Sequence, residues 1–222
     1  MGIIGKRVVT QAVALILLAA ASAEAATIFD NGPHDGISGT SISDLLVAED
    51  FTISVPTILT GVRFWSAQAS AADYAGTIDW FIYADSSGSP GAVLFSASVA
   101  ATNTATGFPA GSGLYLEFQN DFAVSVSLAP GTYWLGLHDG TVSDTTFRDF
   151  YWGTTAANVT STGMYQELPS LPWIDSLLEQ AFVLSGDQAP VPEPVPEPGT
   201  LVLAATGLGA LAAARRLRCR RR

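Results

Sequence analysis

Between Ala26 and Asp187 no stretch of the chain keeps a helical period. Apolar residues recur instead at every second position, in runs of five to eight residues broken by Gly, Pro, Asn, Asp and Ser. In Glu49–Val55 the apolar set is Phe51, Ile53 and Val55; in Phe122–Leu128 it is Phe122, Val124, Val126 and Leu128. A period of two puts each set on one face of a sheet and leaves the other face wetter. Further strands are expected over 58–65, 77–84, 92–99, 114–118, 132–138, 147–153 and 179–185. Asp-Ser-Ser-Gly-Ser-Pro-Gly (85–91) and Leu-Ala-Pro-Gly (128–131) carry the fixed or positive φ of tight reversals. Nine or ten strands in one domain suffice for two packed sheets. The expected fold is all-β, an antiparallel β-sandwich of jelly-roll type over 26–187. Ser143–Thr146 and residues 154–176 are less regular; the second is expected as a long loop, with a helical turn near Trp173 to Leu178.

The sandwich must rest on its hydrophobic core, perforce without disulfides, because the single cysteine, Cys219, lies in the terminal arginine cluster. Charge is divided unevenly. From Ala26 to Pro190 only Arg63 and Arg148 oppose 17 acidic residues, a formal charge of −15. Such a domain repels phosphate backbones, and nucleic acid is excluded as a partner.

Both ends differ from the middle. Lys6 and Arg7 precede an apolar run from Val8 to Ala20, interrupted by Thr10 and Gln11, and Ala21-Ser22-Ala23 and Ala23-Glu24-Ala25 follow. That order is a secretory signal peptide over 1–25, too short to span a bilayer comfortably, with cleavage by signal peptidase expected after Ala25. At the other end, 188–222, Val-Pro-Glu-Pro occurs twice. The second copy is Val195, Pro196, Glu197 and Pro198; Gly199 comes next, then an apolar stretch from Thr200 and Leu201 through Leu211 to Ala214. Arg215, Arg216, Arg218, Arg220, Arg221 and Arg222 close the chain. Fifteen residues make about 22 Å of helix, against a hydrocarbon core of about 30 Å. Snorkelling arginines and a thinned bilayer let it span, with the arginines cytoplasmic. Proline keeps the preceding segment extended and open to an enzyme.

Order, spacing and terminal position of these residues resemble the PEP-CTERM sorting signal of Gram-negative bacteria. The resemblance covers about the last 30 residues, and the signal peptide that accompanies such tails is also present. It implies that an exosortase, a membrane-embedded cysteine transpeptidase, recognises Val195–Pro198 and cuts nearby. The chain would then be held only transiently in the inner membrane, and its domain would pass to the cell surface or the extracellular matrix. The duplicate at Val191–Pro194 departs from the family layout and reads as spacer. Ile28–Gly32, Val47–Ile53, Leu59–Trp65 and Ile78–Gly91 also look like a type of β-sandwich found ahead of this signal, one with no settled activity to transfer.

Within the sandwich the sequence offers little for catalysis. His34 and His138 are its two imidazoles. The G-x-S-x-G elbow, H-E-x-x-H and the phosphate-binding P-loop are missing, and no lysine lies in the domain. His138-Asp139 reads as a strand end followed by an Asp-Gly turn. The carboxylates leave two alternatives open besides solvated surface charge: a glycosidase pair and a structural calcium ion on Asp30, Asn31 and Asp35 with Asp139 or Asp144. No other cofactor is expected. Trp65, Trp80, Trp134, Trp152 and Trp173, with Tyr83, Tyr115, Tyr133, Tyr151 and Tyr165, serve either as core or as a sugar-stacking platform. The expectation is an exported structural or adhesive protein of the cell surface or exopolysaccharide, not an enzyme. A carbohydrate-binding domain is the second reading, with extracellular polysaccharide as partner, and a polysaccharide hydrolase the third.

Overall fold

The computed structural model describes residues 26–156, 162–167 and 171–188. The expected leader with Ala23 and Ala25, the motif Val195–Pro198, the span from Thr200 to Ala214 and the terminal arginines lie outside the described residues. Among the described residues no helix is long and apolar enough to cross a membrane.

Two antiparallel sheets pack face to face. In chain order the strands are β1 (Ala26–Asp30), β2 (Gly39–Ser41), β3 (Leu46–Ile53), β4 (Thr57–Gln68), β5 (Ile78–Asp85), β6 (Pro90–Val99), β7 (Thr102–Ala110), β8 (Tyr115–Leu128), β9 (Gly131–Asp139), β10 (Phe150–Gly153), β11 (Met164–Gln166), β12 (Ile174–Asp175) and β13 (Phe182–Gln188). In the first sheet β4 is the spine. Along one side it pairs with β8, from Thr57 opposite Leu128 to Gln68 opposite Leu116. Along the other side β13 takes Thr57–Phe64 and β10 takes Ser66–Gln68. β1 flanks β13, β2 flanks β10 and β7 flanks β8. The second sheet runs β12-β11-β3-β9-β5-β6.

The jelly-roll character lies in two nested pairings. β3 pairs with β9 in the second sheet, and β4 pairs with β8 in the first. Ile53 opposite Gly131 and Thr57 opposite Leu128 set the β3–β4 and β8–β9 links side by side, crossing between sheets at one end. Leu-Ala-Pro-Gly (128–131) is therefore a crossing between sheets and not a hairpin. Residues 85–91 do form a hairpin: Ser87 and Gly88 both have positive φ (57° and 79°), and Asp85 accepts the Gly88 amide.

Inward-facing side chains fill the space between the sheets. Val47, Phe51 and Ile53 of β3, Ile78, Trp80 and Ile82 of β5, and Leu135 and Leu137 of β9 meet Leu59 and Phe64 of β4 and Phe122 and Val126 of β8. Trp152 and Phe182 close the centre at 5.9 Å between ring centroids, and the Trp152 indole donates to Ala181 O at 2.8 Å. A second apolar layer explains why β5 and β9 carry aromatics on both faces. Leu46, Ala48, Tyr83 and Trp134 lie on the outer face of the second sheet, covered by Met164 and Trp173.

Several expected boundaries move. Residues 114–118 and 122–128 belong to one strand of 14 residues, β8. The polar interruption that masked its continuity includes Asn120, which is buried and donates to Ser66 Oγ at 2.8 Å. β10 begins at Phe150 and not at Phe147. In place of the helical turn near Trp173, β12 pairs Ile174 with Tyr165 of β11, so the expected long loop contains two short strands.

Candidate functional site

Strands β4, β8 and β10 place Ala67 between Tyr151 and Glu117 on the outer face of the first sheet. The chain after β1 crosses this face as a strap. Asp35 N donates to Thr154 O (2.8 Å), Thr154 N to Ser38 O (3.1 Å) and Ser112 N to Gly36 O (3.3 Å). Beneath the strap His34 has no side-chain exposure, and its Nδ1 lies 2.7 Å from Glu117 Oε2. Gly153 makes the room for it: a Cβ there would fall 2.4 Å from His34 Cδ2. One of the two candidate imidazoles thus anchors the strap to the sheet.

Beside the strap lies a cleft of about 230 Å³ with Ala67 as floor, Tyr115 and Tyr151 along one side and Ile37, Ser38 and Gly39 along one rim. The two rings pack against each other, 5.3 Å between centroids at 54°, and so make one continuous aromatic side of the cleft. Gly111 (φ +54°) holds the Tyr115 wall back, since a Cβ there would fall 2.6 Å from Tyr115 Cδ2. Both hydroxyls donate to Asp149 Oδ1, at 3.1 Å from Tyr151 and 3.5 Å from Tyr115. Burial, with Tyr115 and Asp149 adding to it, raises the Tyr151 hydroxyl above its ordinary pKa and keeps it a neutral donor. Phe147 (58% exposed) extends the aromatic surface, its ring 6.4 Å from that of Tyr151, and Ile37 (66% exposed) forms the lip. A continuous tilted aromatic surface suits the C–H face of a sugar ring laid against it. The volume is below the ~300–1,000 Å³ of drug-sized pockets, so it suits one ring and not a bundle of chains.

The other aromatics disperse. Trp80, Trp134, Trp152 and Tyr83 are buried. Trp173 seals the outer layer edge-on to Tyr83 at 5.5 Å. Tyr133 and Tyr165 pack against the core, and half-buried Trp65 shares the outer face of β4 with Ala67. Of the ten, only Tyr115 and Tyr151 form the cleft.

His138 and Asp139 do more than close a turn. Asp139 is buried at the end of β9, accepts the Ala75 amide at 2.9 Å and has Arg148 at 3.6 Å. Burial pushes its carboxyl up to about 6, with the Ala75 amide and Arg148 pulling the other way. Arg148 bonds Asp144 at 2.5 Å, and that bond holds Asp144 well below the usual carboxylate range. Burial lowers His138 below its ordinary value. Asp30 accepts the Gly32 amide, Asn31 donates to Gln180 O, and Asp35 accepts from Thr154 Oγ1. Among the described residues no three His, Cys, Asp or Glu side chains converge as a metal site.

Glu49 escapes a reading by hydrophobicity because it opens a run whose apolar members are Phe51, Ile53 and Val55. It lies between Val47 and Phe51 on the inward face of β3 and is fully buried, accepting the Gln180 amide at 2.7 Å and the Asp50 amide at 3.3 Å. Burial first, and the neighbouring Glu179 second, push its carboxyl up to about 9. The signal was the period itself, since 47, 49, 51 and 53 share one parity. At that depth Glu49 is out of reach of a substrate. No protein-family model matches the chain, and no curated protein matches it.

Proposed function

We propose that this protein is an exported, non-catalytic adhesin of the cell surface or polysaccharide matrix, which holds extracellular glycan in the Tyr115–Tyr151 cleft. The carrying observation is a cleft with Tyr115 and Tyr151 along one side and Ala67 as floor, the two tyrosine hydroxyls being held by one carboxylate, Asp149. The nearby Glu117 is engaged by His34 under the strap, so the cleft lacks the paired carboxyl groups that glycoside hydrolysis needs. A domain of formal charge −15 favours neutral over polyanionic glycans. Delivery follows from the resemblance of the tail to a PEP-CTERM signal: signal peptidase removes 1–25, and an exosortase acts at Val195–Pro198.

The test is titration calorimetry against neutral bacterial polysaccharide fragments. Asp149→Asn and Tyr151→Ala each lose about 1.5–3 kcal/mol, a charged hydrogen bond or its equivalent in ring contact, which weakens binding roughly 10- to 100-fold. Binding that both variants leave intact, or no binding by the wild type, overturns the glycan reading. The C-terminal mass in strains with and without exosortase tests delivery separately; an intact Arg222 terminus in the exosortase-positive strain rejects it.

A further inference from the structure

β6 ends the second sheet and pairs only with β5. Seven consecutive residues, Ala92–Ser98, are exposed, so both faces of this strand meet solvent. Val93 (52%), Leu94 (44%) and Phe95 (39%) are large apolar side chains among them. Free edges are usually blunted by charge, proline or a bulge. β7, one border of the first sheet, is bulged in its second half: its register with β8 shifts between Ala105 and Pro109, and Gly107 has φ +86°. β6 is bulged in its first half, where its register with β5 shifts twice between Pro90 and Phe95, but from Phe95 to Val99 the ladder is regular and free of proline and charge.

Charge indicates what covers this edge. Residues 86–116 contain no Asp, Glu, Lys, Arg or His, although the domain as a whole carries −15. Two copies repel one another over most of their surface but not along this strip. A charged partner gains nothing here, because β6 has no charge to complement. A second β6 needs no charge pattern, because a two-fold axis sets the same neutral residues against each other in antiparallel register. We infer that the protein self-associates by pairing β6 with β6 of a second copy, joining the two six-stranded sheets into one continuous sheet. The inference does not depend on the glycan reading, and the two fail independently. Joined in this way, two domains present two clefts, which suits cross-linking of a polymer.

The test uses the full chain with its own leader, exported and purified. Light scattering over a dilution series is expected to show a monomer–dimer equilibrium. Ser96→Lys, at an exposed position in the middle of β6, puts like charges across the axis and is expected to leave monomer only, with circular dichroism and melting temperature unchanged. A disulfide assay in a Cys219→Ser background reads the same contact directly. Within a scan of single cysteines from Ala92 to Ser98, covalent dimer is expected only at the one or two positions nearest the two-fold axis, where a residue faces its own copy, and none at Thr104→Cys on β7. A wild type monomeric at every concentration overturns the inference. So does a Ser96→Lys variant that dimerises like the wild type, or cross-linking at Thr104 without any on β6.

Discussion

Glu49 makes the pH dependence of stability a direct test of the core. Its carboxyl is pushed up to about 9 in the fold, against 4.5 when unfolded. Between those values the folded chain holds a proton that the unfolded chain has released. Stability from this group is therefore complete below pH 4.5 and falls as pH rises towards 9. The slope is about 1.4 kcal/mol per pH unit. Two other buried groups change in the lower part of this range: Asp139 at about 6, and His138 below its ordinary 6.5. Asp139 has the same sign as Glu49; a lowered histidine has the opposite one, its stabilisation growing as pH rises to 6.5. From pH 7 to 8.5, Glu49 acts alone among the three. The wild type should lose about 2 kcal/mol over that interval, about 4–8 °C of melting temperature for a domain of this size. Glu49→Gln keeps an oxygen for the Gln180 amide and gives up the longer contact with Asp50 N. Its absolute stability can move either way, but its slope over pH 7–8.5 should vanish. Urea unfolding of both proteins across the interval reads the difference. Parallel slopes would mean that Glu49 is ionised in the fold, and the reasoning from its burial would be wrong.

Phe182→Ala empties a position with no exposure between Phe29 (5.3 Å) and Trp152 (5.9 Å), and should cost about 3–5 kcal/mol, read as a lower urea midpoint at unchanged m-value. A change below 1 kcal/mol would show that the sheets close over the gap. Gly153→Ala places a methyl 2.4 Å from His34 Cδ2, so the ring must leave Glu117. Amide exchange at Asp35 and Thr154, which tie the strap down, should then accelerate while Trp152 fluorescence keeps its wild-type spectrum.

The strand alternation carried most of the fold, because burial between two sheets imposes period two directly on the side chains. It failed where a side chain is polar for a structural reason. Asn120 sits inside β8 because Ser66 and Asn103 satisfy its amide, and Glu49 sits inside β3 because protonation and backbone amides satisfy its carboxyl. A rule that assigns polar residues to solvent breaks β8 in two and overlooks Glu49. The strands β1, β2, β11 and β12 were hidden for another reason: each has five residues or fewer, too few for a period to declare itself, while the nine residues of β7, mostly Thr, Asn, Gly and Ala, carry no apolar alternation. The cleft was illegible on different grounds. Ala67, Tyr115 and Tyr151 are separated by 48 and 36 residues and meet only through the β4–β8 and β4–β10 registers. Asp149 arrives through the β9–β10 connection, ahead of the strand in which Tyr151 lies. The β6 edge falls between these cases. Its alternation looks like that of any strand, and only the topology shows that nothing pairs beyond it. Its neutrality, by contrast, is visible in the residues themselves. A strip of 31 uncharged residues in so acidic a domain is a contrast that folding alone does not require, since the core is neutral whatever the surface carries. The contrast acquires a physical meaning once the strip is seen to lie at an open sheet border, where charge would ordinarily be used to prevent the pairing inferred for it.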